Sequence, residues 1–332
     1  MTNRRRNALL VAASLALAGA ALAPLAACTP TTHAAAPSAL GVARSSADLD
    51  AVVDVPGPVT VETVVGADWH VDRGGLIDLD DPKAKAAGLK DGPEPIVVAF
   101  HAIHHPTRGL YVIDTGVERA LRDDPDHAAV HGLAARFMHV QDMKVRTDTA
   151  SWLAAQKEPV RGVFLTHLHL DHVSGMRDVP DDAVVYAGPG ETTERGWLNV
   201  FTRGLADDAL AGKGPIQEWR YAPDPGGEFD GVVDVFGDRT VWALHVPGHT
   251  AGSTAYLVRT PDGPVLFTGD ACHTAWGWRH DVAPGWFSAD RKRSADSLAR
   301  LEAFVAKHPR IDVRLGHQLL PARDAAAAAA AR

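Results

Sequence analysis

Short runs of apolar and β-branched residues, broken by Gly, Pro and Asp, recur along most of the chain. Residues 59–65 alternate apolar with polar positions, which predicts a half-buried strand. Residues 96–100 and 110–113 flank Pro106-Thr107-Arg108-Gly109, whose composition predicts a turn between paired strands. Further strands are predicted over residues 160–166, 183–187, 232–236, 241–246, 254–258, 265–268 and 311–315. Helical patterns intervene at 128–140, 149–156, 191–201 and 290–307. In the last of these, Leu298, Leu301, Phe304 and Val305 fall on one face. Two groups of strands separated by helices predict sheets packed together with helices outside, an α/β arrangement. No repeat or break in composition divides residues 51–320, which read as one domain.

The two ends have different patterns. Arg4-Arg5-Arg6 precedes an apolar run over 8–23 and then Leu25-Ala26-Ala27-Cys28. A positive start, a short apolar stretch and small residues describe an export signal over residues 1–28 rather than a spanning helix. Leu-Ala-Ala-Cys also resembles the bacterial lipobox, in which the cysteine is lipidated and becomes the new N-terminus. On that reading the protein is a periplasmic or cell-envelope lipoprotein, touching the membrane through a lipid on Cys28. The other reading is ordinary cleavage after an alanine, near Ala36. Residues 29–50, rich in Ala, Pro, Ser and Thr, read as a flexible tether, and the Ala-rich residues 321–332 as a frayed tail.

Composition narrows the function classes. The chain has 332 residues, 46% of them hydrophobic, enough for a large core. A net charge of -8, with acids and bases interspersed, argues against nucleic acid as a partner, because phosphate backbones need a basic face. Two cysteines, Cys28 and Cys272, make no disulfide framework, and Cys272 reads as a packed free thiol. The 17 histidines are the departure from the ordinary, and many are bunched.

The densest bunch is His167-Leu168-His169-Leu170-Asp171-His172, directly after the predicted strand 160–166. In a tight loop, ligands two and five residues apart can turn toward one point, and Asp171 adds a hard oxygen to softer imidazoles. Pro247-Gly248-His249-Thr250, Thr268-Gly269-Asp270 and Gly316-His317 each follow another predicted strand. Each is weak alone, but together they bring ligand-type side chains to several strand ends.

With these motifs the chain resembles the metallo-β-lactamase superfamily over about residues 59–317. The resemblance implies an αββα sandwich with the site at the open edge between the sheets. It implies one metal held by His167, His169 and His249, a second by Asp171, His172 and His317, and Asp270 bridging both. Asp114, in Ile113-Asp114-Thr115-Gly116, then orients the ligand loop without binding metal. The expected cofactors are two divalent ions, Zn²⁺ by default, with Fe, Mn or Co fitting the same ligands. Branches with a cysteine in place of Asp270, or a glutamate in place of His169, do not fit.

Two cations about 3.5–4 Å apart can share a water and lower its pKa toward about 7, and the resulting hydroxide would attack a carbonyl or phosphoryl centre. Asp171 is a candidate proton relay. Around Asp270 the chain most resembles the N-acyl-homoserine lactonase branch, which implies a small lactone or ester substrate. That branch has a tyrosine three residues after the aspartate, where this chain has His273. The histidine reads either as a hydrogen-bond donor or general acid toward the substrate, or as a loop residue facing solvent. Trp276, Trp278, Trp286 and Phe287, with Trp197, Phe201 and Trp219 near a Gly-rich stretch, read as an acyl-chain lid or as packing. His101, His104 and His105 are placed at the rim. A phosphotriesterase, a broad carboxylesterase and a non-catalytic envelope metal-binding module remain alternatives.

Overall fold

The computed structural model describes residues 28–196, 199–224 and 227–320; the signal-like segment before Cys28, Trp197 and the Ala-rich tail lie outside the described residues. One sheet has the order β1-β9-β8-β7-β5-β4-β3-β6. Its strands are β1 (Ala35–Pro37), β3 (Thr60–Asp72), β4 (Pro93–His105), β5 (Gly109–Ile113), β6 (Lys144–Val145), β7 (Val160–Phe164), β8 (Val184–Ala187) and β9 (Ile216–Glu218). The other runs β14-β13-β12-β11-β10-β2, from β2 (Val42–Arg44), β10 (Val232–Asp234), β11 (Val241–His245), β12 (Thr254–Thr260), β13 (Gly263–Phe267) and β14 (Asp312–Arg314).

The sandwich follows from strands buried on both faces. Along β12 every residue is buried, and its side chains alternate between two cores. Tyr256 and Val258 meet Phe164, Tyr186 and Trp219 between the sheets. Ala255 and Leu257 face outward, onto Leu298, Leu301 and Phe304 of the helix Arg291–Lys307. That helix is started by Asp290, whose carboxylate accepts from Arg293 N at 2.9 Å. The outer face of the first sheet packs against other helices, including Asn199–Ala209, which buries Leu205, Ala206 and Ala209. Helices therefore cover both outer faces, the αββα arrangement.

Strand direction sets where the loops meet. β5 and β7 are parallel, β11 and β13 both run antiparallel to β12, and β14 is parallel to β13. Thr254 N, at the start of β12, donates to Thr166 O just past β7 at 2.9 Å. The C-terminal ends of β5, β7, β11, β13 and β14 thus share one edge of the sandwich.

Three expectations are corrected. Residues 29–50 are no slack tether: β1 pairs with β9 and β2 with β10, extending both sheets at their edges. Edge pairing needs backbone hydrogen bonds and little side-chain burial, so an apolar-poor stretch can still be ordered. The predicted helix 128–140 is reduced to Gly132–Phe137 between short turns, and 191–201 is a turn followed by the helix Asn199–Ala209. Glu191 is drawn out of any helix by hydrogen bonds to two other loops.

Phe164 lies within ring-contact distance of Tyr111, Tyr186, Trp219, Phe236 and Tyr256. Phe164→Ala should lower unfolding free energy by about 3–5 kcal/mol. Urea titration checks this, and a loss below about 1 kcal/mol would mean the two sheets do not share a packed core.

Candidate metal centre

The loop after β7 is held by a buried carboxylate. Asp114, just past β5, adopts a left-handed backbone conformation, φ 57°, unusual for a residue with a side chain. Its Oδ1 accepts from Thr166 N at 2.8 Å, and its Oδ2 from His172 Nδ1 at 2.8 Å. Asp114 therefore takes the orienting place expected of it, and its bond to Nδ1 leaves His172 Nε2 facing inward. The short helix Leu170–Val173 then turns Asp171 and His172 toward the same space.

All seven sequence-predicted metal residues converge there. His167, His169, His249 and Asp270 form one group able to hold a cation, and Asp171, His172 and His317 a second. Asp270 touches both. Its Oδ2 lies 3.6 Å from His167 Nε2, 3.4 Å from His249 Nε2 and 3.3 Å from His317 Nε2, and its Oδ1 lies 3.4 Å from His172 Nε2. His317 Nε2 is also 3.2 Å from Asp171 Oδ2. Donor atoms bound at 2.0–2.2 Å around one tetrahedral ion would stand roughly 3.3–3.6 Å apart, so these spacings fit a metal.

Unsatisfied atoms make the same point. His167 Nε2, His172 Nε2 and Asp270 Oδ1 are buried without a hydrogen-bond partner. Each such atom costs about 1–3 kcal/mol, more for a charged one, and a cation among them would satisfy all three. His169 and Asp171 are the two members only partly buried, which puts them at the opening.

Close packing keeps the later ligands in place. A Cβ on Gly316 would overlap Asp270 Oδ1, and one on Gly248, at φ 139°, would overlap Ser294 N. Both glycines are therefore required by space.

Charge divides the cluster. Burial, aided by neighbouring imidazoles, pushes His167 and His249 well below the ordinary histidine value, leaving lone pairs free for a metal. Burial works against a charge on His317 too, but Asp270 and Asp171 hold it up at about 10. His172 is likewise raised, by Asp270, Asp114 and Asp171. The carboxyls of Asp171 and Asp270 stay below their usual range despite burial, because imidazoles surround them.

His273 also belongs to this cluster. It is 1% exposed, so the solvent-facing reading is overturned. Its Nε2 lies 3.0 Å from Asp270 Oδ2 and its Nδ1 3.2 Å from Leu76 O. The other singled-out residues scatter. Trp219 sits between the sheets, stacked on Tyr186, with Nε1 donating to Tyr256 OH at 3.0 Å, so it is core. Trp276 stacks on His280, and Trp278 packs beneath the second sheet. Phe287 lies nearest, 6.5 Å from the His273 ring, while Trp286 and Phe201 are exposed. His104 and His105 are not at this rim, because they open the β4–β5 hairpin, at the end of β5 opposite Asp114. His101 is buried, with Nδ1 3.0 Å from Thr63 Oγ1. Cys272 is a buried free thiol, held protonated by burial.

Glu191 was missed, since nothing marks it among other surface-type glutamates. It is 1% exposed, and burial raises its carboxyl to about 7. Oε1 accepts from Leu168 N at 2.8 Å, between His167 and His169; Oε2 accepts from Thr250 Oγ1 at 2.7 Å and Gly252 N at 3.0 Å, beside His249. It clamps the two loops of the first group together. Glu191→Ala should weaken metal binding at that group by about 10–100-fold while sparing the Asp171 group. Chelator competition would show one weakened class of site. Equal weakening of both, or of neither, would remove the clamp from the account.

Comparison with known proteins agrees with this geometry. N-acyl homoserine lactonase AttM of Agrobacterium fabrum is 29% identical over 64% of this chain and 79% of its own length. Human acyl-coenzyme A thioesterase MBLAC2 is 31% identical over 49% of this chain and 54% of its own. Among solved structures, a quorum-quenching N-acyl homoserine lactone hydrolase superposes with a TM-score of 0.55 at 17% identity, covering 80% of this chain and 93% of that one. The dizinc lactonase AidC superposes with a TM-score of 0.54 at 13% identity, covering 86% and 93%. The superfamily pattern itself matches residues 103–311, more than half the sequence. With that match laid over a buried His/Asp cluster at the open edge of an αββα sandwich, the chain belongs to the metallo-beta-lactamase superfamily, as a metal-dependent hydrolase.

Proposed function

We propose that the protein is an exported, dinuclear hydrolase of lactones, of the N-acyl-homoserine lactone type. The carrying observation is Asp270, one carboxylate in contact with both groups of ligands. His167, His169 and His249 would hold one ion, Asp171, His172 and His317 the other, with Asp270 shared. Two divalent ions there, Zn²⁺ by default, would supply a water of lowered pKa and polarise the lactone carbonyl. The rest falls to the chain. Asp171, at the opening, would relay the proton leaving such a water. Glu191 and Asp114 hold the loops so that no ligand must move during reaction. Phe287, beside the cluster, offers an apolar surface to an acyl chain.

Support for the substrate class comes from the AttM lactonases, which align over about two thirds of this chain. Purified metallated protein should hydrolyse acyl-homoserine lactones with higher kcat/KM than aryl esters or a phosphotriester. The reverse order would replace the lactonase reading with an esterase or phosphotriesterase, and inertness toward all three with an envelope metal-binding module. Asp270→Ala should lose both ions and all turnover; an active variant with two bound ions would remove the shared carboxylate.

Export rests on residues 1–28. The Cys28 carbonyl accepts from Gly196 N at 3.2 Å and Asn199 Nδ2 at 3.1 Å. A lipid on Cys28 would therefore hold the catalytic domain against the membrane rather than on a tether. Mass spectrometry of the mature protein should find an acylated N-terminal Cys28, and an unmodified start beyond it would rule the anchor out.

A further inference from the structure

We propose that His273 is an eighth metal ligand, closing on the cation held by His317 and Asp270, and not a hydrogen-bond donor to the substrate. The proposal deepens the dinuclear reading above and rests on it.

A backbone carbonyl sets the position of the ring hydrogen. His273 Nδ1 faces Leu76 O at 3.2 Å, and a carbonyl oxygen only accepts, so Nδ1 carries the hydrogen. Nε2 is then the ring atom turned inward, the one able to offer its lone pair to a cation. His317 is held in the same way: its Nδ1 faces Val97 O at 3.0 Å, and its Nε2 faces Asp270 Oδ2 at 3.3 Å. The two rings lie nearly parallel, 16° apart with centroids separated by 5.5 Å, and His317 N donates to His273 O at 3.1 Å. A backbone carbonyl on one ring nitrogen, with the other aimed inward, is the arrangement of a metal-binding histidine.

The inward contact has the spacing of two ligands on one cation. His273 Nε2 and Asp270 Oδ2 stand 3.0 Å apart. Two such atoms bound at about 2.1 Å and at right angles around one ion would be roughly 3.0 Å apart. Asp270, His273 and His317 place their ligand atoms close enough together to hold an ion. Burial excludes the alternative of a ring waiting for substrate, since His273 is 1% exposed.

The consequence is a richer coordination shell around the second ion than four-coordinate zinc requires. A fifth protein ligand beside Asp171, His172, His317 and Asp270 suits ions that readily accept five or six donors, Fe, Mn or Co as well as Zn²⁺. Replacing a substrate-facing donor with a ligand would also move recognition of the lactone carbonyl to the metal.

The test uses the full chain loaded with Co²⁺. Paramagnetic NMR should show a shifted, exchangeable ring N–H from His273 in addition to those of His167, His169, His172, His249 and His317. His273→Gln keeps a hydrogen-bonding group toward Asp270 but no imidazole; His273→Phe removes both. Both variants should bind the more weakly held ion at least about ten-fold less tightly, with a changed visible Co²⁺ spectrum. Two ions bound to His273→Gln with wild-type affinity and spectrum would overturn the proposal and leave the dinuclear site standing. Fewer than two ions on the wild-type chain would instead overturn the dinuclear reading. Should His273→Phe not fold, the signal count in the wild-type chain decides: no His273 resonance among the shifted signals overturns the proposal.

Discussion

Asp270 is a carboxylate buried among imidazoles, with one oxygen that no protein donor satisfies. Removing such a group from water is tolerable only if positive charge surrounds it. The imidazoles of His172 and His317 stand beside it, and the surrounding carboxylates favour their charged forms. A pair of divalent ions would provide more and would also satisfy the orphaned nitrogens of His167 and His172. The surrounding architecture can be understood as what is needed to assemble so many polar groups at one point without water.

That assembly depends on strand direction. Five strands from two sheets end at the same edge, and each delivers a short loop. Short loops alone would leave the side chains loosely placed. Two buried carboxylates prevent this: Asp114 fixes the loop after β7 from within its own sheet, and Glu191 ties it across to the loop of His249. Glycines at 248 and 316 allow the later loops to approach as closely as the cluster requires. Neither carboxylate lies in either group of ligands, yet both determine whether the ligands meet.

The chain departs from its lactonase-like pattern at His273. A tyrosine there would carry a hydroxyl farther from the backbone, whereas a histidine is shorter and brings a ring nitrogen to Asp270 itself. Of the described aromatic residues singled out by sequence, Trp219 belongs to the core between the sheets, and Phe287 lies nearest the His273 ring.

Much of the centre was legible from sequence because its ligands are chemically distinctive and follow apolar strands at short spacing. His167, His169, Asp171 and His172 announce themselves, and the three later motifs each pair a glycine with one ligand-type residue. The apolar and β-branched runs of β11 to β13 and the apolar face of Leu298, Leu301 and Phe304 likewise foretold strands and a covering helix. Glu191 was not legible, because a glutamate becomes a clamp only when loops from distant parts of the chain offer it donors. Residues 29–50 failed for a related reason, since backbone pairing at a sheet edge leaves little trace in side-chain composition. The role of His273 was undecidable for the same cause: its ring hydrogen is set by Leu76 O, 197 residues earlier in the chain. Residue type and local spacing determined which groups could bind metal. Tertiary structure decided which atoms face one another, and hence which of those groups are donors, acceptors or ligands.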